Sequence, residues 1–328
     1  MADADSARSL RTSAHWRKAL PFAGTLIIFA LVFWRIPAAR LGAALEEVPV
    51  LKFFGVFLPF SLCYWTIDSF CLTWVVRRFN AELRLRDVMP IRASMNLLAL
   101  INSNLGQGGV AWYLHRKTGV PFLQILSSIL FIALAEVYQL LFFSTLGVLF
   151  YRPQSIAQSR IINVLRIADV AAWLLLAAII ACFAEARRNE GVRSALTNSR
   201  FGSIIGTFVA ARPIDYAIVL GIKAPNFLLS VIAHYFALSL FGITIPVARL
   251  ILFLPLVFVA AALPIAVAHL GTSQAAWLLF FSGSAPDARI LAYSLAAHFT
   301  FMLCNGLIGL FYLPRASREM TALETAEA

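Results

Sequence analysis

Charged residues are scarce in this chain. Asp, Glu, Lys and Arg make up 13% of the 328 residues, against 61% hydrophobic residues, and the mean hydropathy is +0.82. This composition leaves too little polar surface to coat a soluble globule. Acidic residues are the scarcer sign, 16 against 27 basic ones. The basic residues fall in short connections between apolar runs, a pattern typical of topology signals rather than nucleic-acid binding.

The residue clusters of familiar enzymes are also missing. Four cysteines, Cys63, Cys71, Cys182 and Cys304, lie in apolar segments without CxxC or zinc-ligand spacing, and we predict that they are small core residues. The acids within apolar segments are isolated, and the sequence has no Walker A, GxSxG or HExxH motif. We therefore expect no enzymatic activity, no metal and no cofactor.

What the sequence does contain is an internal repeat. Leu98–Pro121 (LALINSNLGQGGVAWYLHRKTGVP) aligns without a gap on Leu263–Pro286 (LPIAVAHLGTSQAAWLLFFSGSAP). The two copies share the pattern LG, four residues, AWxL, six residues, P, and the same register places Pro90 on Pro255. In a membrane protein, two such copies are typical of an internal repeat that flanks a central site.

The apolar runs predict six full membrane crossings. They cover residues 20–34, 50–76, 122–150, 170–183, 215–241 and 288–313. The repeat elements, 89–130 and 254–295, are each interrupted, by NSNLGQGG and by AHLGTSQ, which a continuous helix would not favour. Broken backbone must be buried in protein or line a wet cavity. We therefore predict two re-entrant helical hairpins in an all-α polytopic protein, or eight spans if the hairpins cross.

The same count predicts the topology. Residues 20–313 form one transmembrane domain, and the tails 1–19 and 314–328 lie on one side. If that side is the cytoplasm, it carries most of the Lys and Arg residues, Arg92 among them, as the positive-inside rule requires. Three crossings separate the two hairpins, so these enter from opposite sides and form an inverted repeat.

The run NLGQGGVAWYLHRKTGVP, with the later LPIAVAHLGTSQAAW, resembles a known family. This is the flippase-like transmembrane domain fused to lysylphosphatidylglycerol synthase in multiple peptide resistance factor, which also occurs as stand-alone bacterial proteins. The resemblance implies translocation of a charged phospholipid across the cytoplasmic membrane. Gln107 and Gln274 stand where that family tends to have Glu, and the Arg expected after the first motif is missing. These departures favour a weakly charged or terpenoid, hopanoid-like lipid.

The two interruptions are the expected site. Half-helix ends that meet there can bind a polar headgroup without a fixed charge. The predicted substrate-binding side chains are Asn102, Asn104, Gln107, His269, Thr272, Ser273 and Gln274, and Gly106, Gly108, Gly109 and Gly271 are expected to allow close approach or hinge movement. The alternatives are that the polar groups satisfy only their own backbone and that the glycines serve helix packing.

Two acids, Asp68 and Glu136, lie within predicted crossings, where ionisable residues are costly. Their expected role is proton coupling or a counter-ion for a headgroup. The alternative is a structural partnership with a basic residue, for which Arg92, His115, Arg116 and Lys223 are the candidates.

These observations predict a flippase-like lipid transporter of the bacterial cytoplasmic (inner) membrane that moves or presents a phospholipid or terpenoid lipid between leaflets. The alternatives are a non-transporting scaffold for a lipid-modifying enzyme and a secondary transporter of a small polar solute. The partners that fit the prediction are membrane lipid, anionic headgroups at the basic cytoplasmic loops, and either a second copy of the chain or a lipid-biosynthetic enzyme.

Overall fold

A computed structural model describes residues 46, 50–101, 103–150, 156–197, 202–262 and 271–327. All the regular elements in these ranges are helices. They are α1 Val50–Phe79, α2 Leu85–Ile101, α3 Ser103–Thr118, α4 Phe122–Phe150, α5 Ile156–Arg188, α6 Glu190–Thr197, α7 Gly202–Ala210, α8 Pro213–Leu240, α9 Val247–Ala262, α10 Thr272–Phe281 and α11 Asp287–Glu327.

Five of these helices, α1, α4, α5, α8 and α11, are long and apolar enough to cross a membrane. They coincide with five of the six predicted crossings, and the predicted crossing at 20–34 lies outside the described residues. The chain is therefore an all-α, multi-pass membrane protein.

Two helices extend well beyond the predicted crossings. α5 begins at Ile156 rather than 170, and α11 runs on to Glu327 rather than ending near 313. The added segments contain Arg160, Arg166 and Arg315, which lower the hydropathy but are good helix formers. Hydropathy predicts the apolar part of a helix, and the helix itself continues further.

The repeat extends to whole helices. A shift of 165 positions places α1, α2, α3 and α4 over α8, α9, α10 and α11, and the first residue of α4, Phe122, falls on Asp287, the first of α11. The paired helices α1 and α8 run antiparallel. Arg78 near the end of α1 contacts Asp215 near the start of α8 at 3.0 Å, and the rings of Phe53 and Phe241 are 5.5 Å apart at the other end. The two halves therefore run in opposite directions.

Each half contains a pair of helices that fold back on each other. In the first half, Lys117 near the end of α3 contacts Asp87 near the start of α2 at 3.3 Å. In the second half, Arg249 near the start of α9 donates to the Ser284 hydroxyl at 2.9 Å, just after α10. In both α2–α3 and α9–α10, entry and exit of the chain therefore lie at the same end.

The first interruption is shorter than predicted. The run NSNLGQGG was expected to be non-helical, but α3 already begins at Ser103. The glycines in this run are accommodated within helix, and two of them bring α3 close to α2. A Cβ at Gly106 would lie 2.9 Å from the Ala99 Cβ, and one at Gly109 would overlap the Met95 sulfur. In the described part of the second interruption, Gly271 has φ +94°, a conformation that favours glycine.

Helices of each half pack against helices of the other half, an exchange of partners between the halves. α2 of the first half packs against α11 of the second, and α9 of the second packs against α4 of the first. Each of these two helix–helix contacts has a glycine where the two backbones meet. A Cβ at Gly309 would lie 2.6 Å from the Ala93 carbonyl oxygen, and one at Gly147 would lie 2.6 Å from the Leu252 Cβ. Small residues at such crossings let helix backbones approach closely.

One end of the molecule is markedly basic. The end of α1, the start of α2, the end of α3 and the start of α8 meet there with the C-terminal part of α11, where Glu319 accepts a hydrogen bond from the Tyr113 hydroxyl at 2.7 Å. The basic residues of these segments are Arg77, Arg78, Arg84, Arg86, Arg116, Lys117, Arg212, Arg315 and Arg318. We refer to this as the basic end.

Candidate functional site

A cluster of ion pairs lies inside the helix bundle, roughly 10–20 Å from the basic end by residue count along the helices. Its centre is the buried Asp68 of α1. One carboxylate oxygen of Asp68 accepts a hydrogen bond from Nε of Arg92 on α2, and the other lies 2.5 Å from Nζ of Lys223 on α8. A single carboxylate thus binds two cations from two different helices. We call Asp68, Arg92, Lys223 and Glu136 the ion cluster.

Lys223 joins the second acid to the first. Its ammonium also forms an ion pair with the carboxylate of Glu136 on α4, and it lies 5.7 Å from the ring centroid of Tyr64. The Lys223 side chain is almost fully buried, whereas 38% of the Glu136 side chain is exposed. On α4, one turn after Glu136, the amide nitrogen of Gln139 donates to the Lys223 carbonyl oxygen at 2.8 Å. Lys223 is therefore held in place from several directions.

The hairpin α2–α3 contributes the remaining polar contact. Nη1 of Arg92 donates to the side-chain oxygen of Gln107 at 3.0 Å. Arg92 keeps 17% of its side chain exposed, and Gln107 is half-buried. The cluster therefore reaches from the buried core of α1 and α8 to accessible groups on α2, α3 and α4. Its formal charge is zero, since two acids face two bases.

Both acids singled out in the sequence are thus members of one cluster. Of the four candidate basic partners, Arg92 and Lys223 contact them. Arg92 differs from expectation, since it was grouped with the basic residues of a cytoplasmic connection. It lies seven residues inside α2, because that helix begins at Leu85 rather than 89. Its distance of 24 residues from Asp68 offers no local periodicity that reveals the pair.

The other predicted site residues are only partly brought together. Gln107 joins the ion cluster, whereas Thr272, Ser273 and Gln274 are buried at the start of α10 in the other half. Asn102 and His269 lie outside the described residues, as does the side chain of Asn104. Among the glycines, Gly106 and Gly109 pack closely against α2, which is the helix-packing alternative, and nothing lies within 4 Å of a Cβ built at Gly108.

Gln274 caps its own helix. Its side-chain oxygen accepts a hydrogen bond from the backbone N–H of Gly271 at 2.6 Å, where the chain turns sharply into α10. This is the contact expected if the polar residues satisfy the loosened backbone. The side chain is fully buried, so its loss leaves a buried N–H without this acceptor.

We expect Gln274→Ala to destabilise the protein by about 1 kcal/mol, the usual cost of losing a helix N-terminal cap. The measurement is thermal unfolding in mild detergent. Gln124→Ala is the control, because Gln124 is exposed in the first turn of α4. Equal melting temperatures for the two variants would contradict the capping role of Gln274.

The second half carries no equivalent ion cluster in its described residues. By the repeat register, Asp68, Arg92 and Glu136 correspond to Ala233, Val257 and Phe301. These three positions are apolar, and the neighbouring His234 lies in an aromatic cluster. The His234 Nδ1 and the Tyr293 hydroxyl are 2.5 Å apart, and the ring of Trp277 packs against both side chains, with centroids 5.4 and 5.0 Å away. The two halves share a fold but not a chemistry.

No family model, curated protein or solved structure matches this chain. The fold and the ion cluster themselves define the class, a multi-pass helical membrane protein with paired charges buried between its helices. In such a protein, charges at this depth are functional candidates by default, because they are costly to place there. The described residues contain no group of three or more His, Cys, Asp or Glu side chains suited to a metal.

Proposed function

We propose that the protein moves a lipid between the leaflets of a bacterial cytoplasmic membrane, and that the headgroup passes along the ion cluster. The observation that carries this proposal is the position of Glu136. Its carboxylate contacts buried Lys223 on one side, yet 38% of its side chain is exposed. On the same helix, Leu130 and Val137 present an apolar face that is 40% and 52% exposed.

This arrangement suits a lipid better than a free solute. An exposed apolar face on a membrane-crossing helix contacts acyl chains, and the part-exposed carboxylate of Glu136 lies on the same helix. A headgroup can then occupy the polar groups while its chains stay in the bilayer. A lipid without a polar headgroup would bring only apolar groups to the part-exposed Arg92 and Glu136 side chains, which is unfavourable because their charged groups lose polar surroundings.

The proposal includes the membrane topology. The hairpins α2–α3 and α9–α10 would be re-entrant, each entering and leaving from one side, and the antiparallel course of α1 and α8 makes the two hairpins enter from opposite sides. The basic end would face the cytoplasm, since positively charged loops favour that side. The ion cluster then lies near the middle of a hydrocarbon core about 30 Å thick.

The test is lipid translocation by the purified protein in liposomes. Lipids labelled with nitrobenzoxadiazole on an acyl chain are incorporated in both leaflets, and dithionite then bleaches the label only on the outside. We expect bleaching beyond the outer-leaflet fraction when the protein is present. Gln107→Ala is expected to slow this phase about tenfold, because the Arg92 guanidinium loses a charge-assisted hydrogen bond in the headgroup path.

Gln124→Ala is the matched control, an exposed Gln on α4 outside the cluster, and it should behave as the wild type. Bleaching no faster than in protein-free vesicles, for every headgroup offered, would refute lipid translocation. Translocation by the wild type with an unchanged rate in Gln107→Ala would refute the placement of the headgroup path.

A further inference from the structure

We infer that the transported headgroup is a zwitterion, a phosphate linked to a primary ammonium as in phosphatidylethanolamine. This inference rests on the proposed function and narrows it to a substrate class. The ion cluster has four charged side chains, and only two of them are part-exposed, Arg92 at 17% and Glu136 at 38%. Asp68 and Lys223 are buried and hold these two in place.

The Arg92 guanidinium has donors that can bind an oxyanion. Nε of Arg92 donates to Asp68 and Nη1 to Gln107, which leaves the Nη2 group without a hydrogen-bond partner in the described part of the chain. Gln107 accepts from Arg92 through its side-chain oxygen, and its amide nitrogen carries two further donors. Two neighbouring side chains thus have N–H donors that suit an oxyanion such as phosphate.

The Glu136 carboxylate can bind a cation that has N–H donors. One oxygen of the Glu136 carboxylate contacts the Lys223 ammonium. The carboxylate has further lone pairs, and more than a third of the side chain is open. A primary ammonium can therefore bind there in the way that Lys223 does. A trimethylammonium group carries the same charge but has no N–H to donate.

Overall charge balance leads to the same substrate class. The cluster is neutral before binding, and its buried members lie in a region where an unpaired charge is costly. A zwitterion places its negative group on Arg92 and its positive group on Glu136, so neutrality is kept. A purely anionic headgroup would satisfy Arg92 but would also face Glu136, and a purely cationic one would meet the reverse conflict.

The test compares three lipids with the same labelled acyl chain in the dithionite assay. Their headgroups are ethanolamine, choline and glycerol, joined to the same phosphate. We expect the ethanolamine lipid to cross about tenfold faster than the anionic glycerol lipid, the difference expected from one charge-assisted contact. The choline lipid should fall between them, since it keeps the charge but loses the donor.

Glu136→Gln should reduce the ratio of ethanolamine to glycerol rates towards one, and Glu82→Gln, which changes an exposed acid, should leave it unchanged. Because a ratio does not depend on the amount of folded protein, a purely structural role for Glu136 would not alter it.

Equal wild-type rates, or an unchanged ratio in Glu136→Gln, would overturn the zwitterion while leaving lipid translocation in place. No translocation of any of the three lipids would overturn the proposed function instead. The wild-type ratio decides the matter even if Glu136→Gln cannot be purified.

Discussion

Replacement of Asp68 by Asn is expected to cost roughly 3–5 kcal/mol of stability, the range measured when one partner of a buried ion pair is removed. Asp68 neutralises two cations at once, so the substitution leaves Arg92 and Lys223 with only Glu136 as a nearby acid. Desolvation of those cations is then no longer offset by attraction. The measurement is the yield and thermal stability of the variant in mild detergent, with exposed Asp287→Asn as control.

A second substitution makes this prediction more specific. Lys223→Met alone should be milder than Asp68→Asn, because Asp68 keeps Arg92 and the part-exposed Glu136 can be solvated. In the double variant the cluster is reduced to one cation and one anion, so it is again neutral. We expect the double variant to be more stable than Asp68→Asn alone. Effects that simply add would show that the two side chains are not coupled and would contradict the ion cluster as described.

Much of the helical layout could be predicted from the sequence, because apolar run length is a strong signal in membrane proteins. The predicted crossing 122–150 coincides with α4, and 215–241 differs from α8 by two residues at the start and one at the end. The 165-residue shift, found in two short motifs, relates the starts of whole helices to within four residues. The pairing of helices could not be predicted. Nothing local in α2 indicates that its partner is α11, near the other end of the chain.

The candidate site was predicted in part for the same reason. Asp68 and Glu136 stand out because ionisable groups in apolar segments are expensive, and Gln107 stands out because it lies in an interruption of the repeat. Arg92 is among the candidate partners of these acids, but its position after Arg84 and Arg86 also resembles that of one more basic loop residue. Its role depends on α2 starting early and turning this side chain towards α1. Arg92 also donates a hydrogen bond to Gln107 on the facing helix.

Gly147→Ala is expected to be the most damaging single-methyl change in the described bundle outside the ion cluster. A Cβ at this position would overlap the Cα of Leu252 and lie 2.8 Å from its backbone nitrogen. Backbone cannot swing aside as a flexible side chain can, so α4 and α9 must separate. Overpacking typically costs about 1–3 kcal/mol, and here it also disrupts contacts along the crossing.

Gly221→Ala provides a control with the opposite expected sign. Gly221 lies inside α8, and nothing is within 4 Å of a Cβ built there. Alanine should therefore stabilise the protein by up to about 1 kcal/mol, because it favours the helix more than glycine does. Melting temperatures that fall for Gly147→Ala and stay level or rise for Gly221→Ala would support the close crossing of α4 and α9. If Gly147→Ala were as stable as Gly221→Ala, the two helices could not approach as closely as this fold requires, and the exchange of partners between the halves would have to be revised.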